Sequence, residues 1–194
     1  MKMRNGYVSN SSSSSFLVVY DNLEDFAPFR LFEKGYNRFM EDVVKSTSDE
    51  VIGYIKMLLD DYFYHLKEIY ERELFNNGKD YDERFEFSYN NQFNTFMCNF
   101  NIPLPKTIDK YEKSLEAAAD ESQEALEQAY EKITDKELTT AAKIIYECLQ
   151  AKHKTAFIEY EDHTDIGSYM EHDFMPFMRH NPDNKFSVFI QNNH

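Results

Sequence analysis

Residues 11–20 read Ser-Ser-Ser-Ser-Ser-Phe-Leu-Val-Val-Tyr, five serines running directly into five apolar or aromatic positions. A serine run ordinarily stays solvated, because hydroxymethyl side chains bury too little apolar surface to offset the entropy of ordering the chain. Phe16 to Tyr20 is a short continuous apolar run rich in β-branched and aromatic residues, the pattern of a buried strand. Filler seldom abuts a core strand, so Ser11–Ser15 is expected to be ordered in part, with hydroxyls bonded to nearby polar groups. A single strand leaves its backbone groups unpaired and needs neighbours. Two runs qualify. In Thr155 to Tyr160, Ala156, Ile158 and Tyr160 alternate with Phe157 and Glu159, and Phe186 to Ile190 closes the chain. The three should share one sheet. The fold class is therefore α+β: a small, mostly antiparallel sheet built from both termini and covered on one face by helices.

Most of the remainder has helical periodicity. A short helix is expected over Tyr36 to Val44. Thr47 and Glu50 form a capping box, in which each side chain answers the other residue's backbone N–H. The helix it opens carries Val51, Ile55, Leu58, Leu59, Tyr62, Leu66 and Ile69 at helical spacing, and Asn76-Asn77-Gly78 ends it. Phe85, Phe87 and Tyr89 alternate with polar residues and suggest a strand. Lys106 to Ile133 reads as one amphipathic helix, about 42 Å long at 1.5 Å per residue. Thr134 and Glu137 open the next helix, to about Lys152, which makes 106–152 an αα-hairpin. Ser168 and Glu171 suggest a third capping box, on a short helix that Pro176 interrupts. The expected organisation is one domain over residues 1–194, with the hairpin inserted at 106–152.

Composition narrows the classes. The chain has 194 residues, long enough for a core without disulfide staples. Aromatic content is 16%, from 17 Phe and 14 Tyr without Trp, while five Gly and five Pro are few for an all-β sandwich or a glycine-rich nucleotide fold. A net charge of −14 repels phosphate backbones and anionic membranes, so direct nucleic-acid or membrane binding is not expected. The excess either keeps the protein soluble or imitates nucleic acid. Cys98 and Cys148 lack CxxC spacing and fit a reducing cytosol. The five-residue run at Phe16 is too short for a signal peptide or a membrane span, so the expected location is cytoplasmic.

Ligand-type side chains cluster near the C-terminus: Asp162, His163, Asp165, Glu171, His172, Asp173, His180 and His194. Imidazole and carboxylate together are the usual donor set for zinc and related divalent ions. His163, Asp165, His172 and His194 are the candidate metal ligands, with Glu171 as a candidate general base. No HExxH motif is present. Glu171 and His172 are adjacent, so a helix would turn them about 100° apart, and they are not expected to be co-ligands: one would bind while the other caps or pairs. Nucleophilic-serine and P-loop chemistry is not indicated, since neither a GxSxG elbow nor a Walker motif occurs. Cys148, His65 and His153 read as core or surface residues.

The segment Arg4-Asn5-Gly6-Tyr7-Val8-Ser9-Asn10, with the five serines and Phe16, resembles the opening of an uncharacterised group of small bacterial and phage proteins. Members of that group often close with an acidic turn, a Glu-His pair at a helix start, and a final strand ending in histidine. Here those elements correspond to Asp162-His163-Thr164-Asp165-Ile166-Gly167, Glu171-His172 and Phe186 through His194. This chain departs from the pattern in having His163 in the turn and a single terminal histidine. The resemblance covers roughly the first 20 and last 35 residues, and it implies a bacterial cytoplasm, or a host cytoplasm for a phage protein. Two functions follow as expectations. One is a C-terminal divalent-metal site, structural or hydrolytic. The other is a non-enzymatic acidic interaction protein, such as a phage factor that binds a host protein through the acidic helical hairpin or mimics nucleic acid.

Overall fold

The structure, a computed structural model, describes residues 13–76, 91–161, 164–181 and 185–193. Three strands form one antiparallel sheet in the order β2-β1-β3: β1 (Ser13–Tyr20), β2 (Lys154–Glu161) and β3 (Ser187–Asn193). The strand that follows the serine run lies in the middle, and its two neighbours come from the far end of the chain. Phe16 pairs with Ile158 on one side and Ile190 on the other. The expected sheet from both termini is therefore present. Its middle strand starts earlier than the apolar run, because Ser13, Ser14 and Ser15 pair with Glu161, Tyr160 and Glu159.

Position in the sheet explains the composition of β1. Phe16, Val18 and Tyr20 face one side and Leu17 and Val19 the other, and all five are buried. A central strand buried on both faces reads as a continuous apolar run, whereas a half-covered edge strand alternates. β2 alternates accordingly: Ala156, Ile158 and Tyr160 are buried, while Lys154, Glu159 and Glu161 are exposed. The expectation of cover on one face only is thus too narrow for β1.

The chain divides into two compact units, residues 1–51 with 152–194 and residues 52–151. In the first, a 3-10 segment (Leu23–Leu31) and α1 (Glu33–Lys45) follow β1. The 3-10 segment turns inward at Phe26 and Phe29, both buried. Phe26 stands 4.9 Å from Phe39 of α1 and 4.8 Å from Phe186, ring centre to ring centre. These rings join Phe16, Val18, Ile158, Tyr160, Met170, Phe174, Met175 and Met178 in one core.

The second unit is helical. It contains most of α2 (Ser48–Asn76), then α3 (Asn91–Asn99), α4 (Lys106–Ala119), α5 (Gln123–Glu131) and α6 (Asp135–Gln150). Both capping boxes form as expected. Thr47 N–H donates to Glu50 at 2.7 Å, and Thr134 N–H donates to Glu137 at 3.3 Å. The single helix expected over 106–133 is instead two. Ser122 is extended, and its hydroxyl accepts from Ala125 N–H at 3.1 Å, so it caps a new helix and the chain turns at 120–122. Phe93 and Phe96 sit on α3 and are buried. The strand expected at Phe85–Tyr89 lies outside the described residues.

Candidate functional site

The helical segment that bears Glu171 begins with a cap that the sequence reading placed elsewhere. α7 (Asp165–Tyr169) is capped by Thr164, whose hydroxyl accepts from Gly167 N–H at 2.9 Å. Ser168 lies inside the helix, with its N–H donating to Thr164 C=O at 2.8 Å. The expected Ser168–Glu171 box is therefore absent, and Glu171 is free of any capping role. Gly167 permits this start because a Cβ there would lie 1.9 Å from the Glu161 carbonyl oxygen at the end of β2.

Residues Met170–Phe174 then form one π-helical turn, followed by α8 (Met175–His180). Pro176 accounts for the change of pitch. In an α-helix its ring would meet the carbonyl of His172, four residues back, and it has no N–H to donate. The wider turn relieves that clash, with Met175 N–H donating to Met170 C=O. Pro176 therefore reshapes the helical path without ending it. Single π turns of this kind are frequent at functional sites.

The π turn rotates Glu171 inward and leaves His172 outward. Glu171 is 4% exposed, in a core of methionines and phenylalanines. Its Oε1 accepts a hydrogen bond of 2.5 Å from the Ser14 hydroxyl. Ser14 is itself buried and lies on the same face of β1 as Phe16 and Val18, which places it under this helix. The other carboxylate oxygen, Oε2, is buried without a hydrogen-bond partner. Burying a carboxylate oxygen without a partner costs free energy, because the water it gives up is not replaced. A basic group, His172 Nε2, lies 4.0 Å away on a side chain that is about half exposed. The orphaned oxygen thus faces an imidazole that can reach solvent.

The remaining candidate residues are dispersed or lie outside the described residues. Asp165 is exposed at the start of α7, seven positions and about 10 Å of helix rise from His172. His163 and His194 lie outside the described residues. Among the described residues, no three His, Cys, Asp or Glu side chains form a metal-binding group. What the fold brings together is the pair Glu171 and His172, and it adds Ser14, which the ligand reading did not include. The expectation that the serine hydroxyls would bond nearby polar groups was the only signal pointing to it.

Tyr160, directly across from Ser14 in the sheet register, holds a second buried oxygen, its hydroxyl lying beside Asp42. Burial, and secondarily the nearby Asp42 charge, pushes its hydroxyl well above the ordinary tyrosine range and keeps it neutral. Asp42 is held by Arg38 at 2.8 Å, so its charge is already answered. His65 pairs with Glu68 on its own helix at 3.3 Å, and His153 pairs with Asp21, 132 positions away, at 2.7 Å. No helix among the described residues is long and apolar enough to cross a membrane.

Compared with protein-family models, curated proteins and solved structures, the chain matches none of them.

Proposed function

We propose that the C-terminal region binds a divalent cation, zinc or a similar ion, centred on Glu171 and His172. The observation that carries this reading is the buried Glu171 Oε2, which lacks a partner and lies 4.0 Å from His172 Nε2. An ion held by a carboxylate oxygen and an imidazole nitrogen at about 2.1 Å each, at a tetrahedral angle, sets those atoms about 3.4 Å apart. The half-exposed imidazole can close that gap by a small rotation. The spacing favours Glu171 as a ligand over a general base acting through a bound water. The sequence offers His163 and His194 as further donors, whereas Asp165 stands apart at the start of α7. A closed donor set would make the ion structural. A set with one open position would make it hydrolytic, through a bound water whose pKa falls to about 7. The setting proposed is the cytoplasm of a bacterium, or of a host for a phage protein.

Elemental analysis and thermal melts test the reading. The expected result is zinc or a related metal in the purified protein, and a melting temperature that chelation lowers and zinc restores, since a ligand bound only by the folded state stabilises it. His172→Ala should abolish the restoration and His65→Ala should not. Metal-free protein with a melting temperature indifferent to excess zinc would overturn it.

One observation favours the second reading, a non-enzymatic acidic interaction protein. Glu116, Asp120, Glu121, Glu124, Glu127 and Glu131 are all exposed along α4, α5 and the turn between them. Such a face would bind a host protein, or imitate nucleic acid towards one, through salt-sensitive contacts. Glu112, also on α4, is half-buried and accepts a hydrogen bond from Tyr62.

A further inference from the structure

From the same geometry we infer that Ser14, the fourth serine of the run, is the positioning residue of the cation site. The inference rests on the reading of Glu171 and His172 as cation ligands. A carboxylate has two equivalent oxygens and can present either, or both, to an ion. Here the Ser14 hydroxyl donates to Oε1 at 2.5 Å, which commits that oxygen and leaves Oε2 as the one turned toward His172. Both partners are more than nine-tenths buried, Ser14 at 2% exposure and Glu171 at 4%, so the bond is shielded from competing water. The donor comes from the central strand of the sheet, paired on both sides. Its position is therefore set by backbone ladders rather than by a flexible loop, which is how outer groups hold a ligand in one orientation.

This gives the serine run a specific task. Side chains alternate along a strand, so only Ser14 among Ser13–Ser15 shares the face of Phe16 and Val18 that looks onto Glu171. A hydroxyl is needed because an alanine would leave both carboxylate oxygens orphaned. Ser15 is also buried, at 4% exposure, but faces the opposite side. It controls for the generic effect of altering a buried serine.

The test is zinc titration by calorimetry on the full chain, comparing the wild type with Ser14→Ala, Ser14→Thr and Ser15→Ala. Ser14→Ala is expected to weaken zinc binding about 10–100-fold, the usual effect of removing an outer hydrogen bond to a ligand. Ser14→Thr keeps the hydroxyl and should stay close to wild type, as should Ser15→Ala. Equal affinity in Ser14→Ala and wild type would overturn the inference. Should Ser14→Ala not fold, Ser14→Cys, of similar size with a much weaker donor, is read in its place against the same two outcomes. Should the wild type bind no zinc, the cation reading falls by itself. The positioning role is then decided by a crystal structure of Ser14→Ala: a Glu171 carboxylate turned away from its wild-type orientation upholds it, and an unmoved one overturns it.

Discussion

The helical unit, residues 52–151, and the sheet unit that surrounds it in sequence treat their buried polar groups differently. In the helical unit, tyrosines at the core margin are partnered. The Tyr62 hydroxyl donates to Glu112, and burial together with that bond raises it far above its ordinary range. Tyr111 is pushed up to about 12, first by burial and then by its hydrogen bond to Glu137. Glu137, which receives that bond and also caps α6, is lowered correspondingly. In the sheet unit, the described residues include a buried carboxylate oxygen without a hydrogen-bond partner, on Glu171. Folding normally closes this accounting, because an unmade hydrogen bond in the interior costs about 1–3 kcal/mol. The sheet unit leaves one such carboxylate oxygen open, on a π turn beside an accessible imidazole.

The largest expected effect tests whether the sheet unit depends on its aromatic core. Phe26 is fully buried and touches Tyr20, Phe39 and Phe186. Phe26→Ala should cost about 3–5 kcal/mol in urea unfolding. A loss below 1 kcal/mol would mean that this packing does not hold the unit together.

Next comes the open oxygen itself. Glu171→Gln keeps an acceptor for Ser14 and removes the buried charge. In chelated protein it should raise stability by about 1 kcal/mol, since an uncompensated buried charge is the costlier group. In zinc-loaded protein it should be less stable than wild type. If the substitution destabilises the protein under both conditions, the orphan oxygen is satisfied in solution and the contrast between the units disappears.

Two glycines give opposite signs. At Gly167 a Cβ would strike the Glu161 carbonyl oxygen, whereas at Gly53, on an exposed turn of α2, nothing lies within 4 Å. Gly167→Ala should destabilise by about 1–3 kcal/mol. Gly53→Ala should stabilise by about 0.5–1 kcal/mol through helix propensity. Thermal melts of both variants read the pair.

The smallest effect concerns the satisfied unit. Tyr111→Phe removes the main donor to Glu137, so the Glu137 carboxyl should titrate closer to the ordinary carboxylate range, as followed by carbon NMR of its side chain. The folded-state pKa of Glu137 is depressed, so its contribution to stability is present above the unfolded value and is lost as pH falls through the folded one. Tyr111→Phe should narrow that acid-side loss. The raised tyrosines act in the opposite sense. Their contribution is complete below about pH 10 and is lost as pH rises beyond it.

Much of this was legible from local chemistry. Thr47 with Glu50 and Thr134 with Glu137 announced helix starts, because a capping box is complete within four residues. Phe16–Tyr20 announced a buried strand, and the scarcity of other β-rich runs pointed to Thr155–Tyr160 and Phe186–Ile190 as its partners. Where several local signals compete, the sequence alone misplaced the boundary. Ser122 lay within an unbroken apolar period and was passed over as a cap. Ser168 reads as the cap from its spacing to Glu171, whereas the structure gives that role to Thr164, with Gly167 packed tightly on the end of β2 at Glu161. Glu171 was assigned a capping task because the residue three positions before it is a serine, a reason that lies wholly within the helix.

Its environment depends on a residue 157 positions away in the chain. The residue types were all visible in advance: a serine run, an adjacent Glu-His pair, and a proline four positions after the histidine. That Pro176 opens a π turn, that the turn carries Glu171 under the sheet, and that strand register sets Ser14 rather than Ser15 against it were decided only by the tertiary structure. Sequence periodicity states which face of an element is apolar. Only the pairing of strands and the packing of a helix across them determine which two polar atoms, far apart in the chain, are buried together and which one is left without a partner.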